Sequence, residues 1–241
     1  MNSMTCRQLK RSFFLPLFLI VFTLPALGQS VRLGIKAGVP VTEFFQTGFL
    51  PSRYTGFGTQ YSAATRRYTV GMFIECTIHS RVGFEVDALY KRMGYVHDES
   101  DYSYAPDLNT RFYDVKGSSW DVSVLAKYRF GGTHRIFVSG GATFRQIGPV
   151  RARGQSKLSD PFPAWHTIVT PIDTRQPYEL QDRSFSGLTI GSGFEFGRGW
   201  LRFSPEFRYT YWVSNIETAQ SALRLTTHQL EFLIGLDLFH R

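Results

Sequence analysis

The chain has 241 residues, 43% of them hydrophobic and 16% aromatic, with 22 Phe, 12 Tyr, 22 Gly and a formal charge of +8. That length allows one large or two small domains. Aromatic and Gly enrichment without Ala-, Leu- or Lys-rich runs argues against a helical fold and for strands, and no apolar run after residue 28 reaches the length of a membrane-crossing helix.

Residues 1–28 read as an export leader. Arg7, Lys10 and Arg11 precede the apolar run Phe13 to Leu24, about a dozen residues, the span of a signal peptide. Ala26-Leu27-Gly28 supplies a small-x-small cleavage site. The run is short for a spanning anchor, and Pro16 interrupts it. Cleavage after Gly28 is expected, leaving residues 29–241 as one barrel domain. Losing Arg7, Lys10 and Arg11 takes the charge from +8 to +5. Cys6 precedes the apolar run, so it is no lipoprotein cysteine, and it leaves with the leader. Cys76 then has no disulfide partner, and an exported domain without one needs another source of closure. Export also argues against nucleic acid as a partner.

Period-2 alternation then recurs eight times, the mark of two-faced strands. The expected strands are Val31–Val39, Tyr68–Ile78, Val82–Arg92, Ser119–Phe130, Arg135–Arg145, Ser184–Phe196, Trp200–Trp212 and Thr227–Phe239. In each, one parity is apolar. The other holds Gly, hydroxyls and charge. The seventh is typical: Leu201, Phe203, Phe207, Tyr209 and Tyr211 oppose Arg202, Ser204, Glu206, Arg208 and Thr210. Pro205 interrupts its apolar parity. A proline cannot donate to a ladder, so a bulge or a lost hydrogen bond, compensated by Ser204 or water, is expected there.

The connections alternate short and long. His79–Arg81, Gly131–His134 and Gly197–Gly199 are tight turns, whereas Pro40–Arg67, Met93–Ser118, Gln146–Arg183 and Val213–Thr226 are long. Short turns on one side, long outer loops on the other and strands of about 10 residues are the pattern of a transmembrane barrel. A soluble eight-stranded ligand-binding barrel is the competing architecture. It gives no reason for aromatics to collect at strand ends, as Tyr68, Tyr90, Trp120, Phe144, Tyr209 and Tyr211 do on one rim. Phe84, Tyr128, Phe130, Phe194, Phe196 and Phe203 do so on the other. Aromatic girdles mark membrane interfaces.

If the apolar parity meets lipid, the polar parity lines the lumen. Its acids are Glu75, Glu85, Asp87, Asp121, Glu195, Glu206, Glu231 and Asp237; its bases are Arg32, Lys36, Lys91, Lys127, Arg129, Arg145, Arg202 and Arg208. Eight strands leave an interior just wide enough for side chains, so these balanced charges read as a structural network that fills the lumen. A narrow polar path is the alternative.

No HExxH, GxSxG, CxxC, phosphate-binding or dinucleotide motif occurs. His228, Glu231 and Ser221 invite comparison with a lipid-hydrolase triad, but His228 and Glu231 have opposite parity. His97 with Asp98, Glu99 and Asp101 offers cation ligands in no recognised spacing. Neither carries a catalytic, metal or cofactor expectation. Arg53, Tyr54, Arg66, Arg67, Arg151, Arg153 and Lys157 give the outer loops a basic, aromatic character suited to lipopolysaccharide or a surface partner.

The stretches GIKAGVPVTEFF (Gly34–Phe45), WDVSVLAKYRF (Trp120–Phe130), PEFRYTYW (Pro205–Trp212) and QLEFLIGLDLF (Gln229–Phe239) resemble the small outer-membrane protein beta-barrel domain family, akin to the eight-stranded OmpA/OmpX-type barrels. The resemblance covers essentially the whole mature chain. It implies an all-β, eight-stranded antiparallel up-and-down transmembrane barrel with short periplasmic turns and four long outer loops. It also implies a monomer in the outer membrane, inserted by the barrel assembly machinery and surrounded by membrane lipid. A structural or surface-interaction role without catalysis follows; a narrow pore or small-solute transporter and a lipid-modifying enzyme at the outer rim are the alternatives. Members usually end on an aromatic residue, whereas here Phe239 lies on the polar parity and His240 and Arg241 follow it.

Overall fold

The computed structural model describes residues 30–46, 48–51, 58–63, 68–104, 107–131, 135–160, 166–174, 183–198, 201–213 and 224–240. The expected leader, Trp200, Ser221 and the loop residues Arg53, Tyr54, Arg66 and Arg67 lie outside them, as do the side chains of Asp101 and Phe239. The described residues form β1 (Ser30–Pro40), β2 (Phe45–Gln46), β3 (Gly48–Pro51), β4 (Gly58–Ala63), β5 (Thr69–His79), β6 (Val82–Tyr104) and β7 (Asp107–Phe130). They continue with β8 (Arg135–Asp160), β9 (His166–Thr174), β10 (Ser184–Arg198), β11 (Leu201–Trp212), β12 (Arg224–Leu225) and β13 (His228–His240).

Eight of these close into a ring. In the order β1, β5, β6, β7, β8, β10, β11, β13, each pairs antiparallel with the next, and β13 returns to β1. Following Cα partners from Ser30 through Thr77, Gly83, Lys127, Ser139, Gly191, Arg208 and Glu231 leads back to β1 at Pro40. The ring thus closes with a stagger of ten residues. Closure leaves no edge strand within the barrel wall, and stagger with strand number fixes a narrow bore.

The faces follow the alternation. Met72, Ile136, Leu188, Ile190 and Phe207 are more than half exposed on the outside, while Glu85, Leu89, Leu125 and Phe137 are fully buried inside. The outside aromatics meet across strands. Tyr90 lies 6.4 Å from Tyr68 and 5.4 Å from Trp120 at the loop end, and Phe196 lies 5.9 Å from Phe194 and 5.7 Å from Phe203 at the turn end. Gly131, just after β7, and Gly197, near the end of β10, have φ of 88° and 135°, which residues with a Cβ seldom adopt.

Two of the long connections are not loops throughout. β6 and β7 run on as one hairpin through Met93 to Tyr104 and Asp107 to Ser118, and β8 continues to Asp160 and takes β9 as a further partner. Alternation persists there, with Met93, Tyr95, Tyr113 and Val115 buried on the inner parity. With β3 and β4 paired onto β6, the result is a sheet that projects past the barrel on one side. Within it Ser119 faces Ile147 but Gly117 faces Val150, so β8 carries one extra residue at Gly148-Pro149. Such a bulge accommodates a residue that cannot donate, and it switches which parity points inward.

Pro205 behaves differently. Its ladder to β13 is unbroken, with Ile234 as partner. The ladder to β10 stops at Gly193–Glu206 and resumes at Phe196–Phe203 in the same register. The proline therefore interrupts one ladder without inserting a bulge, as the missing N–H requires.

The inside is packed large against small. Leu89 faces Gly71, Leu125 faces Gly141, Leu233 faces Gly38, Phe73 faces Gly34 and Phe137 faces Gly193 across their strand pairs. Each bulky side chain thus crosses the bore above a neighbour that has none, which is how a narrow barrel fills without voids.

Candidate functional site

Among the charges expected in the lumen, all are buried except Arg202, which is half-buried at the turn end and has no ion pair to a described residue. Because inward positions come from alternating residues on eight staggered strands, the buried charges fall into three tiers.

Nearest the turns, Arg129 Nε donates to Glu195 at 3.0 Å and its Nη2 to Glu75, and Arg32 donates to Glu195 at 3.2 Å. Arg32 also lies 3.8 Å from Asp237. Lys127 links this tier to the next, donating to Glu75 at 3.1 Å and to Glu85 at 2.6 Å. In the middle tier Lys36 donates to Glu85 and, at 2.9 Å, to Glu206, while Arg208 lies 2.7 Å from Asp87 and 3.2 Å from Glu206. Phe137 and Phe73 lie against the ammonium groups of Lys127 and Lys36, at 4.4 and 5.3 Å. Above them runs a belt of hydroxyls. Thr143 bonds Ser123 at 3.0 Å and Thr189 at 2.6 Å, and Thr189 bonds Thr210 at 3.0 Å.

In the third tier Arg145 forms a two-pronged pair with Asp121 at 2.7 and 2.6 Å and donates to Gln229 at 2.6 Å. Lys91 bridges Asp121 at 2.6 Å and Glu231 at 2.5 Å. The Arg145 guanidinium is stacked between Phe44 at 4.3 Å and Trp212 at 4.1 Å, and Trp212 donates its indole N–H to Gln229. Burial of each ion costs several kcal/mol, which only close opposite charge and saturated hydrogen bonding offset. The tiers provide close opposite charge throughout and most of the hydrogen bonds, with Arg32 Nε, Arg129 Nη1 and Asp87 Oδ1 left without a hydrogen-bond partner among the described residues.

Those rings belong to an apolar stopper over the third tier. Phe44, Phe45, Met93, Tyr95, Tyr113, Val115, Ile147, Val150, Ala152, Phe185 and Trp212 form one buried cluster. The short segment 41–46 reaches it from the end of β1. Val41 donates to the Leu230 carbonyl at 2.8 Å, Thr42 Oγ1 accepts from Leu230 N–H at 3.0 Å, and Phe45 pairs with Leu225 in the β2–β12 ladder. Phe45 then packs 5.0 Å from Tyr95. Periodicity did not single out this stopper, because Phe44-Phe45 falls in a connection and Val150 follows the bulge. Its available signal was the apolar inner parity of Met93, Tyr95, Tyr113 and Val115.

Phe45→Ala removes the anchor of the segment without touching the barrel wall. Local opening should therefore increase, with amide exchange of residues 41–46 faster by at least about tenfold. Exchange in β11 and, apart from the Leu230 amide that donates to Thr42, in β13 should stay unchanged. Hydrogen-exchange mass spectrometry of the two proteins checks this.

Of the two candidate constellations, only His97 and Glu99 come together among the described residues, at 3.5 Å. His228 is exposed on the outer face, where its Nδ1 meets the Tyr209 hydroxyl at 2.5 Å, whereas Glu231 is buried in the lumen. His97 is buried and stacked on Tyr113 at 4.3 Å, while Asp98 is exposed on the opposite parity. Among the described residues no group of three or more His, Cys, Asp or Glu could hold a metal ion.

A family model described as outer membrane protein beta-barrel domain matches residues 26–217. Similar solved structures include the Yersinia pestis attachment invasion locus protein Ail, crystallised with the heparin analogue sucrose octasulfate. It is 12% identical, covers 87% of this chain and 97% of its own, and has a TM-score of 0.40. Neisserial surface protein A is 11% identical over 88% and 96%, with a TM-score of 0.40. OprG of Pseudomonas aeruginosa is 11% identical over 87% and 93%, with a TM-score of 0.46. No curated protein matches. At such identities no ligand or partner transfers between chains.

Proposed function

Since the chain belongs to the outer membrane protein beta-barrel domain family, we propose that it is a sealed, non-catalytic pedestal that holds a projecting sheet outside the cell for contact with a surface partner. The observation that carries this reading is the filled bore: three tiers of paired buried charge, a hydroxyl belt and an apolar stopper lie in series. Strands β6 and β7, of 23 and 24 residues, are more than twice the crossing length of about 10. The extra length has no role in spanning the membrane and serves to present β6–β9 at the loop end. The short turns then face the periplasm. The leader at 1–28, insertion by the barrel assembly machinery and a monomeric state complete the proposal. The opposite parities of His228 and Glu231 support the absence of catalysis.

Planar-bilayer recording with the purified barrel tests it. A sealed bore gives no steady conductance across the physiological voltage range. Reproducible unitary conductance from folded protein would instead establish the narrow-pore reading.

A further inference from the structure

The outer face changes character just past the loop-end aromatic rim. Tyr90 and Trp120 mark the rim. Two residues beyond Tyr90 stands Arg92, and four before Trp120 in sequence, beyond it along the strand, stands Lys116; both are exposed. Lys116 faces Arg151 across the β7–β8 ladder, and Arg153 follows, both exposed as well. The bulge at Gly148-Pro149 is what turns these two arginines outward. Between rim and cations lie polar groups, with Ser184 Oγ donating to Gln146 Oε1 at 2.7 Å beside Trp120.

Two acids share the band. Asp114 pairs with Lys116, and Asp173 of β9 holds Arg151 in a two-pronged pair at 2.7 and 2.5 Å. Arg92 and Arg153 have no ion pair to a described residue, so the band keeps a positive excess. Interfacial aromatics sit at the headgroup level of a bilayer. At about 3.4 Å per residue along a tilted strand, the cations stand roughly 5–16 Å above that level, Arg92 lowest and Arg153 highest.

We propose that Arg92, Lys116, Arg151 and Arg153 form a collar that binds the phosphate-bearing headgroups of the lipid leaflet surrounding the barrel. The collar continues the lipid-facing wall without a break, on the same face and the same strands. Its charge complements phosphate, and cations beside an anionic leaflet gain from each added charge. The proposal rests on the membrane-spanning reading and adds to it a specific headgroup site.

The test uses the mature chain folded in detergent micelles, with unboiled gel mobility as the check of folding. Diphosphorylated lipid A and the same lipid without phosphates are titrated separately and followed by native mass spectrometry. The native protein should retain the phosphorylated lipid with a preference of about tenfold or more. R92Q/K116Q/R151Q/R153Q should lose that preference, and R92K/R151K/R153K should keep it. If the fourfold variant does not fold, R92Q/R153Q, which removes no ion pair to a described residue, carries the same expectation. Folded native protein without a preference, or a folded Gln variant that retains it, overturns the collar. So does binding of a soluble sulfated polysaccharide with indifference to lipid phosphate. Failure of the native chain to fold in detergent or lipid would instead sink the barrel reading itself.

Discussion

Glu85→Gln is expected to destabilise the folded barrel by about 3–5 kcal/mol, the cost of leaving buried charge without its partner. Glu85 is fully buried and accepts from Lys36 and Lys127, and Arg208 lies 3.5 Å away. The amide preserves volume and removes the charge, so packing is not the variable. Lys127 is then left with Glu75, which Arg129 shares, and Lys36 with Glu206 and Asp87, which Arg208 shares. The shift of the urea midpoint in lipid vesicles, followed by tryptophan fluorescence, measures the loss. Asp98→Asn on the exposed outer face is the control and should change stability by less than about 0.5 kcal/mol. The magnitude also reports on the lumen. A water-filled path would screen the three cations, and the loss would fall to about 1 kcal/mol or less.

Gly141→Ala is expected to cost about 1–3 kcal/mol, the range for overpacking a filled interior. A Cβ there would press on the Val124 carbonyl oxygen and come within 3.0 Å of the Leu125 Cα. Both are backbone atoms, so a rotamer change cannot relieve them and the strands must separate. Trimming the facing side chain with Leu125→Ala should therefore fail to rescue Gly141→Ala, although Leu125 is the residue that fills the space. Gly140→Ala, one residue away on the opposite face, meets only the Thr189 carbonyl oxygen at 3.9 Å and should be neutral within about 0.5 kcal/mol. Thermal unfolding of the three variants in the same lipid separates close backbone approach from a general dislike of substitution in this strand.

What could be read from the chain depended on whether a feature was periodic. The barrel strands, their two faces and the inward placement of residues such as Glu85 and Arg208 all follow from parity alone. The second and third long connections were legible in the same way, yet were expected to be loops. Their alternation continues beyond the length that a membrane crossing needs, and length rather than pattern set the expected boundary. The bulge was a different obstacle. Read straight through Gly148-Pro149, the parity of β8 would send Arg151 inward and Val150 outward, the reverse of what the structure places. The pairing of Leu125 with Gly141, and its four counterparts, requires cross-strand register, which no single strand encodes. The Phe44-Phe45 stopper depends on where a non-periodic segment docks. Arg202 shows the limit of parity itself, since it points toward the lumen side but lies so near the turn end that it is only half covered.

The central claim is that the apolar parity of eight strands meets lipid around a closed, charge-filled bore. Gel mobility of the outer-membrane fraction, run with and without boiling, tests it most directly. A closed barrel resists detergent until heated, so the unboiled protein should run as a compact band that shifts to its full apparent mass after boiling. Recovery of the chain in the soluble fraction, with one mobility under both conditions, would contradict the account.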